Sequence, residues 1–185
     1  MPFSTTEFPG LVLFEPIVFE DNRGSFFECY NERTFNEAGI VGPWVQDNQS
    51  SSTFGVIRGL HYQLPPYAQA KLVRVLKGKI VDVTVDLRKG SPTYGKVFEK
   101  ILSAENRRQL YIPKGFAHGF SVISEKADVM YKCDAFYNKE SEKGILYNDP
   151  DLNIGWRIPE EEAIISDKDK LLPLFKDAAG EFIFQ

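Results

Sequence analysis

Apolar positions in this chain recur at period two in short runs, each closed by Gly, Pro, Ser or Asn. That is the pattern of strands with one buried face. From Leu11 to Tyr30 two such runs flank Glu20-Asp21-Asn22-Arg23-Gly24-Ser25. Its Asp, Asn and Gly are turn formers, so the pattern predicts a hairpin with Arg23 at its tip. Val73 and Val75 before Lys77-Gly78, with Ile80 or Val81, Val83, Val85 and Leu87 after it, predict a second hairpin. Further strands are expected over Lys96–Leu102, Gln109–Ile112, Gly119–Ile123 and Ala127–Cys133. Helical signals are few. Asn31 is placed to cap a helix over Glu32–Ala38 that Gly39 ends, and Ser166–Leu172 is a second short candidate. Many short strands at regular spacing argue for an antiparallel sandwich or barrel. No internal repeat or low-complexity linker interrupts the pattern.

Length and charge narrow the classes. The 185 residues, 43% hydrophobic, suit one domain over 1–185. A net charge of -4 without a basic run argues against a nucleic-acid partner. No stretch approaches the roughly 18 apolar residues of a membrane span, and Met1–Glu7 lacks the basic start and apolar run of a signal peptide. A cytoplasmic protein with no membrane partner is therefore expected. Cys29 and Cys133 sit in strand-like patterns without metal-ligand spacing, as buried reduced thiols do. Against the acidic balance, Val56–Gln63 and Ala70–Val75 carry Arg58, His61, Lys71 and Arg74 on what reads as a pair of strands. Such a cluster reads either as a solvated hairpin face or as a local anion site with an imidazole beside it.

The residues able to do chemistry are few. Trp44–Ser52 is rich in amides and hydroxyls, fitting either a polar pocket wall or a solvent-facing edge strand. His61 and His118 are the only two histidines. His118 ends Pro113-Lys114-Gly115-Phe116-Ala117-His118, which resembles the second motif of cupins, small jelly-roll proteins. The resemblance implies metal ligands from an earlier His-x-His and carboxylate, but His61-Tyr62-Gln63 lacks the second imidazole and no Glu follows closely, so no metal is expected. Without one, His, Lys, Tyr and Asp together suit proton transfer next to a carbonyl. Tyr131 and Tyr137, six apart, would share a face if their strand were continuous.

Arg58-Gly-Leu-His61, Gln69-Ala-Lys71-Leu-Val-Arg74, Ser103-Ala-Glu-Asn106, Ile112 to Phe120 and Tyr131-Lys132, in this order, resemble the dTDP-4-dehydrorhamnose 3,5-epimerase family over about Gly10 to Pro173. The resemblance implies an all-β jelly roll (cupin, double-stranded β-helix) with a few short helices. It further implies a homodimer acting on a dTDP-4-keto-6-deoxysugar with no metal or organic cofactor. Carried over residue by residue, it implies His61 as general base, Asp169 as the carboxylate orienting it, Lys71 at the enolate oxygen and Tyr131 as general acid. Arg23, Arg58, Gln46, Asn48 and Lys168 match diphosphate and nucleotide positions, Phe26 and Glu28 lie near the base, and His118 and Tyr137 fall on pocket positions. Ser166-x-x-Asp169 also fits a helix-start capping box, a local alternative for Asp169. Gln49, where many members have histidine, and Tyr62, where phenylalanine is common, are departures that bear on sugar contacts. Relatives that epimerise only C3 or only C5 share these residues, and a metal cupin or a silent sugar-nucleotide binder are the other classes.

Overall fold

The computed structural model describes residues 2–178 and 182–184; the ends of the expected 1–185 domain, with residues 179–181, lie outside them. Thirteen strands account for most of the regular structure: β1 (Phe3–Thr5), β2 (Val12–Phe14), β3 (Val18–Asp21), β4 (Gly24–Phe27), β5 (Gln46–Thr53), β6 (Ile57–Gln63), β7 (Lys71–Lys77), β8 (Lys79–Asp86), β9 (Val97–Ser103), β10 (Gln109–Ile112), β11 (Phe116–Val122), β12 (Lys126–Cys133) and β13 (Glu142–Gly144). Six form one antiparallel sheet in the order β1-β2-β10-β7-β12-β5, and five form another, β13-β6-β11-β8-β9. β3 and β4 stand apart as a two-stranded ribbon. This is the expected jelly roll.

Alternation sorts the side chains into layers. Val73 and Val75 of the larger sheet meet Ile80, Leu102, Phe116, Phe120 and Val122 of the smaller one in the interior. The intervening Val81, Val83 and Val85 point out of the smaller sheet, where Ile145, Leu152, Trp156 and Phe182 cover them. The chain beyond β13 thus supplies the apolar cover for a strand buried on both faces.

One predicted connection differs. β7 and β8 are not a hairpin: β7 pairs with β10 and β12, and β8 with β9 and β11. Lys77-Gly78-Lys79 crosses between the sheets. A Cβ on Gly78, whose φ is +77°, would stand 1.9 Å from the Lys126 carbonyl oxygen, so the crossing is built tightly around glycine. A period-two pattern reports which face is buried, not which neighbour is bonded, and it cannot tell a hairpin from a corner. For the same reason β6 and β7 are not paired strands; they face each other from opposite sheets.

The predicted ribbon, β3–β4, and helix are present. α1 (Glu32–Glu37) is capped by the Asn31 side chain, which accepts from the Arg33 and Thr34 amides, and Gly39 follows with φ +79°. Its Phe35, with Ile40, packs on Phe14 and Leu72 on the outside of the larger sheet. The Ser166–Leu172 candidate forms only a 3₁₀ turn, Asp169–Leu171.

Candidate active site

Apolar packing fills one part of the interior; polar side chains fill the rest. β6 supplies the first of them through an irregularity. Arg58 and His61 are three apart, which on a regular strand would set them on opposite faces. In the pairing with β11, His61 lies opposite His118 and Arg58 opposite Phe120, so β6 carries one extra residue. This bulge restores both side chains to the same cavity. It forms at Gly59, where φ is +125° and a Cβ would stand 2.5 Å from the Gly119 Cα.

Two adjoining cavities of about 510 and 300 Å³ share His61, Lys71 and Tyr131. His61 enters from β6 in the smaller sheet. Lys71 and Tyr131 enter from β7 and β12, neighbours in the larger one. Base and acid candidates therefore stand on opposite walls. His61 Nε2 lies 2.7 Å from Asp169 Oδ1, and Asp169 is in turn held by the Gly59 amide at 3.4 Å and by its own amide donating to Ser166 Oγ at 3.1 Å. The capping interaction at Ser166 and the pairing with His61 thus coexist. With Asp169 ionised, Nε2 carries the hydrogen and Nδ1 keeps the lone pair.

Electrostatics match these places. Burial pushes the Asp169 carboxyl up, but its hydrogen bond to His61 and the imidazole's charge outweigh this and hold it below the usual carboxylate range. Burial lowers Lys71 below an ordinary lysine against the pull of Cys133, Asp82 and Glu142. The Lys71 ammonium lies 5.7 Å from the Tyr131 ring centroid and is not ion-paired among the described residues, so its donors face the cavity. Tyr131 is raised by burial and keeps its proton. His118 forms a second imidazole–carboxylate pair, Nε2 to Asp82 Oδ2 at 2.9 Å, more enclosed than the first. Burial lowers its proton affinity, and the charges of Lys71 and His61 lower it further, against the opposing pull of Asp82.

The other predicted residues divide into two groups. Arg58 and Lys168 line the larger cavity, the Arg58 Nε donating to Ser52 Oγ at 3.1 Å. Gln46, Asn48 and Tyr137 line the smaller one. β5 is both of its predicted alternatives: it is the edge strand of its sheet, with Gln46, Asn48 and Ser50 turned inward and Asp47 and Gln49 exposed. Tyr137 reaches the cavity differently than predicted, because β12 ends at Cys133. The turn that follows brings Tyr137 back, its amide donating to Gln46 Oε1 and its hydroxyl to Glu142 Oε2. Arg23, Phe26 and Glu28 line neither cavity. They belong to the ribbon and the segment after it, where Arg23 pairs with Asp21 and is 86% exposed. Of the two departures, Gln49 faces away from the site, and Tyr62 packs edge-on against Phe182 while bordering the smaller cavity.

Glu142 is a site residue that the sequence does not single out. It accepts from Tyr137 and from Lys168 Nζ, at 2.9 and 2.5 Å. Those hydrogen bonds outweigh its burial and lower its carboxyl. Nothing distinguishes it locally from Glu140 two residues earlier; only the pairing of β13 with β6, which sets Glu142 opposite Gln63, brings it to the cavity that His61 lines. Among the described residues no three His, Cys, Asp or Glu side chains converge as a metal shell requires.

Comparison with known proteins finds one family. Residues 5–177 match the family model described as dTDP-4-dehydrorhamnose 3,5-epimerase. A Shigella flexneri protein of that name is 54% identical over 94% of this chain and 95% of its own. The crystal structure of the Elizabethkingia anophelis enzyme of the same name superposes with a TM-score of 0.91 at 54% identity, covering 95% of this chain and 96% of that one. A Legionella pneumophila dTDP-6-deoxy-D-glucose-3,5-epimerase, solved in complex with dTDP-4-keto-L-rhamnose, gives 0.93 at 45% identity over 99% and 98% of the two chains. With the paired imidazole and carboxylate, the lysine and the tyrosine set in the expected jelly roll, the chain belongs to the dTDP-4-dehydrorhamnose 3,5-epimerase family.

Proposed function

We propose that this chain inverts C3 and C5 of dTDP-4-dehydro-6-deoxy-D-glucose, yielding dTDP-4-dehydro-L-rhamnose for dTDP-L-rhamnose biosynthesis. It does so by proton transfer through enolates, without metal or organic cofactor, as one cytoplasmic domain. The observation that carries this reading is the placement of His61 and Tyr131 on facing sheets, with Lys71 beside Tyr131. A proton removed from one face of a flat enolate and returned on the other inverts the carbon.

Both C–H bonds to be broken adjoin the C4 ketone. His61 Nδ1 takes the proton, Asp169 stabilises the imidazolium that forms, and the negative charge moves to O4. There the buried Lys71 ammonium meets it, and a fixed charge out of bulk solvent counts most. Tyr131 delivers a proton to the opposite face and is reprotonated from solvent as His61 gives up its own. His61 suits this exchange better than His118, since its side chain is 30% exposed and that of His118 only 6%. Arg58 and Lys168 at the rim hold the diphosphate, the planar Arg fork taking two phosphate oxygens at once. Gln46, Asn48, Tyr137 and His118 complete the substrate contacts within the chain.

Arg23, Phe26 and Glu28 reach substrate from a second copy in a homodimer. Their ribbon stands apart from the two sheets, and its cross-strand pair Phe19 and Phe26 is exposed behind the polar turn that carries Arg23. The test of the reaction is solvent deuterium. Protein incubated with the dTDP-4-keto sugar in D₂O should place deuterium at C3 and C5, and a silent binder would leave both carbons unlabelled.

A further inference from the structure

Two fully buried polar atoms on the inner face of β8, Asp82 Oδ1 and Thr84 Oγ1, have no hydrogen-bond partner among the described residues. The other Asp82 oxygen is engaged, by His118 Nε2 at 2.9 Å. A carboxylate set wholly inside a sandwich is costly to keep. What it does is grip one nitrogen of an imidazole that lines the larger cavity, directly across from His61 in the β6–β11 pairing. The ring's other nitrogen, Nδ1, has no partner among the described residues.

We infer that Asp82 is a positioning residue which fixes His118 as the Nε2–H tautomer, so that Nδ1 accepts a hydrogen bond from the C2 hydroxyl of the sugar. This rests on the reaction assigned above. Asp82 accepts from Nε2, so in the neutral ring Nδ1 carries the lone pair and can only accept. The surroundings favour the neutral ring: burial lowers its proton affinity and the charges of Lys71 and His61 act the same way, against the pull of Asp82. Of the two ring hydroxyls of a 4-keto-6-deoxyhexose diphosphate, the one on C3 changes sides when C3 inverts. The C2 hydroxyl alone keeps its configuration, so a fixed acceptor can hold it through both inversions. Lys71 then stabilises O4 while His118 holds the ring by a group that does not react.

The tautomer is read in the wild-type protein, by ¹⁵N NMR of its imidazoles near neutral pH, with His118 assigned by its loss in His118→Asn. The expected spectrum shows Nε2 protonated and Nδ1 bare; an Nδ1–H tautomer or an imidazolium overturns the proposal. The hydroxyl is tested with the natural substrate and its 2-deoxy counterpart. Wild-type protein should lose kcat/KM on the 2-deoxy sugar by on the order of tenfold to a hundredfold, one unmatched hydrogen bond. Asp82→Leu should lose a similar factor on the natural substrate and nothing further on the 2-deoxy one. Equal losses on both sugars would make Asp82 merely structural, and a wild type indifferent to the C2 hydroxyl would refute the contact. Absence of turnover of the natural sugar by wild type would refute the assigned reaction instead, and the tautomer would still be read from the spectrum.

Discussion

A histidine that removes a carbon-bound proton depends on the carboxylate behind it. His61→Asn should abolish deuterium exchange at both C3 and C5. Asp169→Asn should lower the rate by orders of magnitude, since the carboxylate sets the tautomer and stabilises the imidazolium. Asp169 also leaves a mark on stability. Its carboxyl is depressed on folding, so it adds stability that is present above the unfolded value, about pH 4, and lost as pH falls through the folded one. Asp169→Asn should therefore flatten the acid limb of a denaturation-versus-pH curve. Lys71 acts at the other limb: lowered by burial, it discharges before an exposed lysine. The alkaline fall of kcat should therefore move upward in Lys71→Arg, measured as a pH–rate profile. Single residues are legible in the sequence where they are scarce or sit in an ordered motif, as His61, Lys71 and Tyr131 do. Glu142 is not, because its role comes from β13 lying against β6, a pairing of residues far from any motif.

The elements show where local pattern runs out. Hairpin β3–β4 and helix α1 follow from turn formers and a cap, all local chemistry, and are as expected. The β7–β8 corner and the β6 bulge depend on what the chain meets elsewhere. Gly59 is the sharpest case: its side-chain space is occupied by the β11 backbone, and its φ favours glycine. Gly59→Ala should destabilise the fold by about 2 kcal/mol or more and, by disturbing the bulge, displace Arg58 and His61 relative to each other. Thermal unfolding reads the first effect and dTDP affinity the second. Arg58→Ala removes the proposed phosphate contact, on the order of 1.5 to 3 kcal/mol for a charged hydrogen bond, together with its hydrogen bond to Ser52, so it should weaken dTDP while lowering the melting temperature less than Gly59→Ala does.

For the molecule as a whole, two sheets close over a cavity whose walls carry different halves of the chemistry. The predicted sandwich follows from strand alternation alone, whereas the facing of β6 against β7 and β12 is a property of strand order that no local pattern holds. If that facing is what inverts carbon, chelators should leave the activity untouched; loss with EDTA and recovery with a divalent cation would contradict it. The proposed contribution of a second copy is tested by Arg23→Ala, which should weaken substrate binding although Arg23 lines neither cavity of its own chain. The most direct measurement is the product of Tyr131→Phe in D₂O. That variant keeps His61, Asp169 and Lys71, so an enolate still forms and is quenched on its original face by protonated His61. Deuterium should enter C3 and C5 with configuration retained, while inverted product falls sharply. Normal inversion by Tyr131→Phe would show that the acid on the facing sheet is not Tyr131 and would contradict the account.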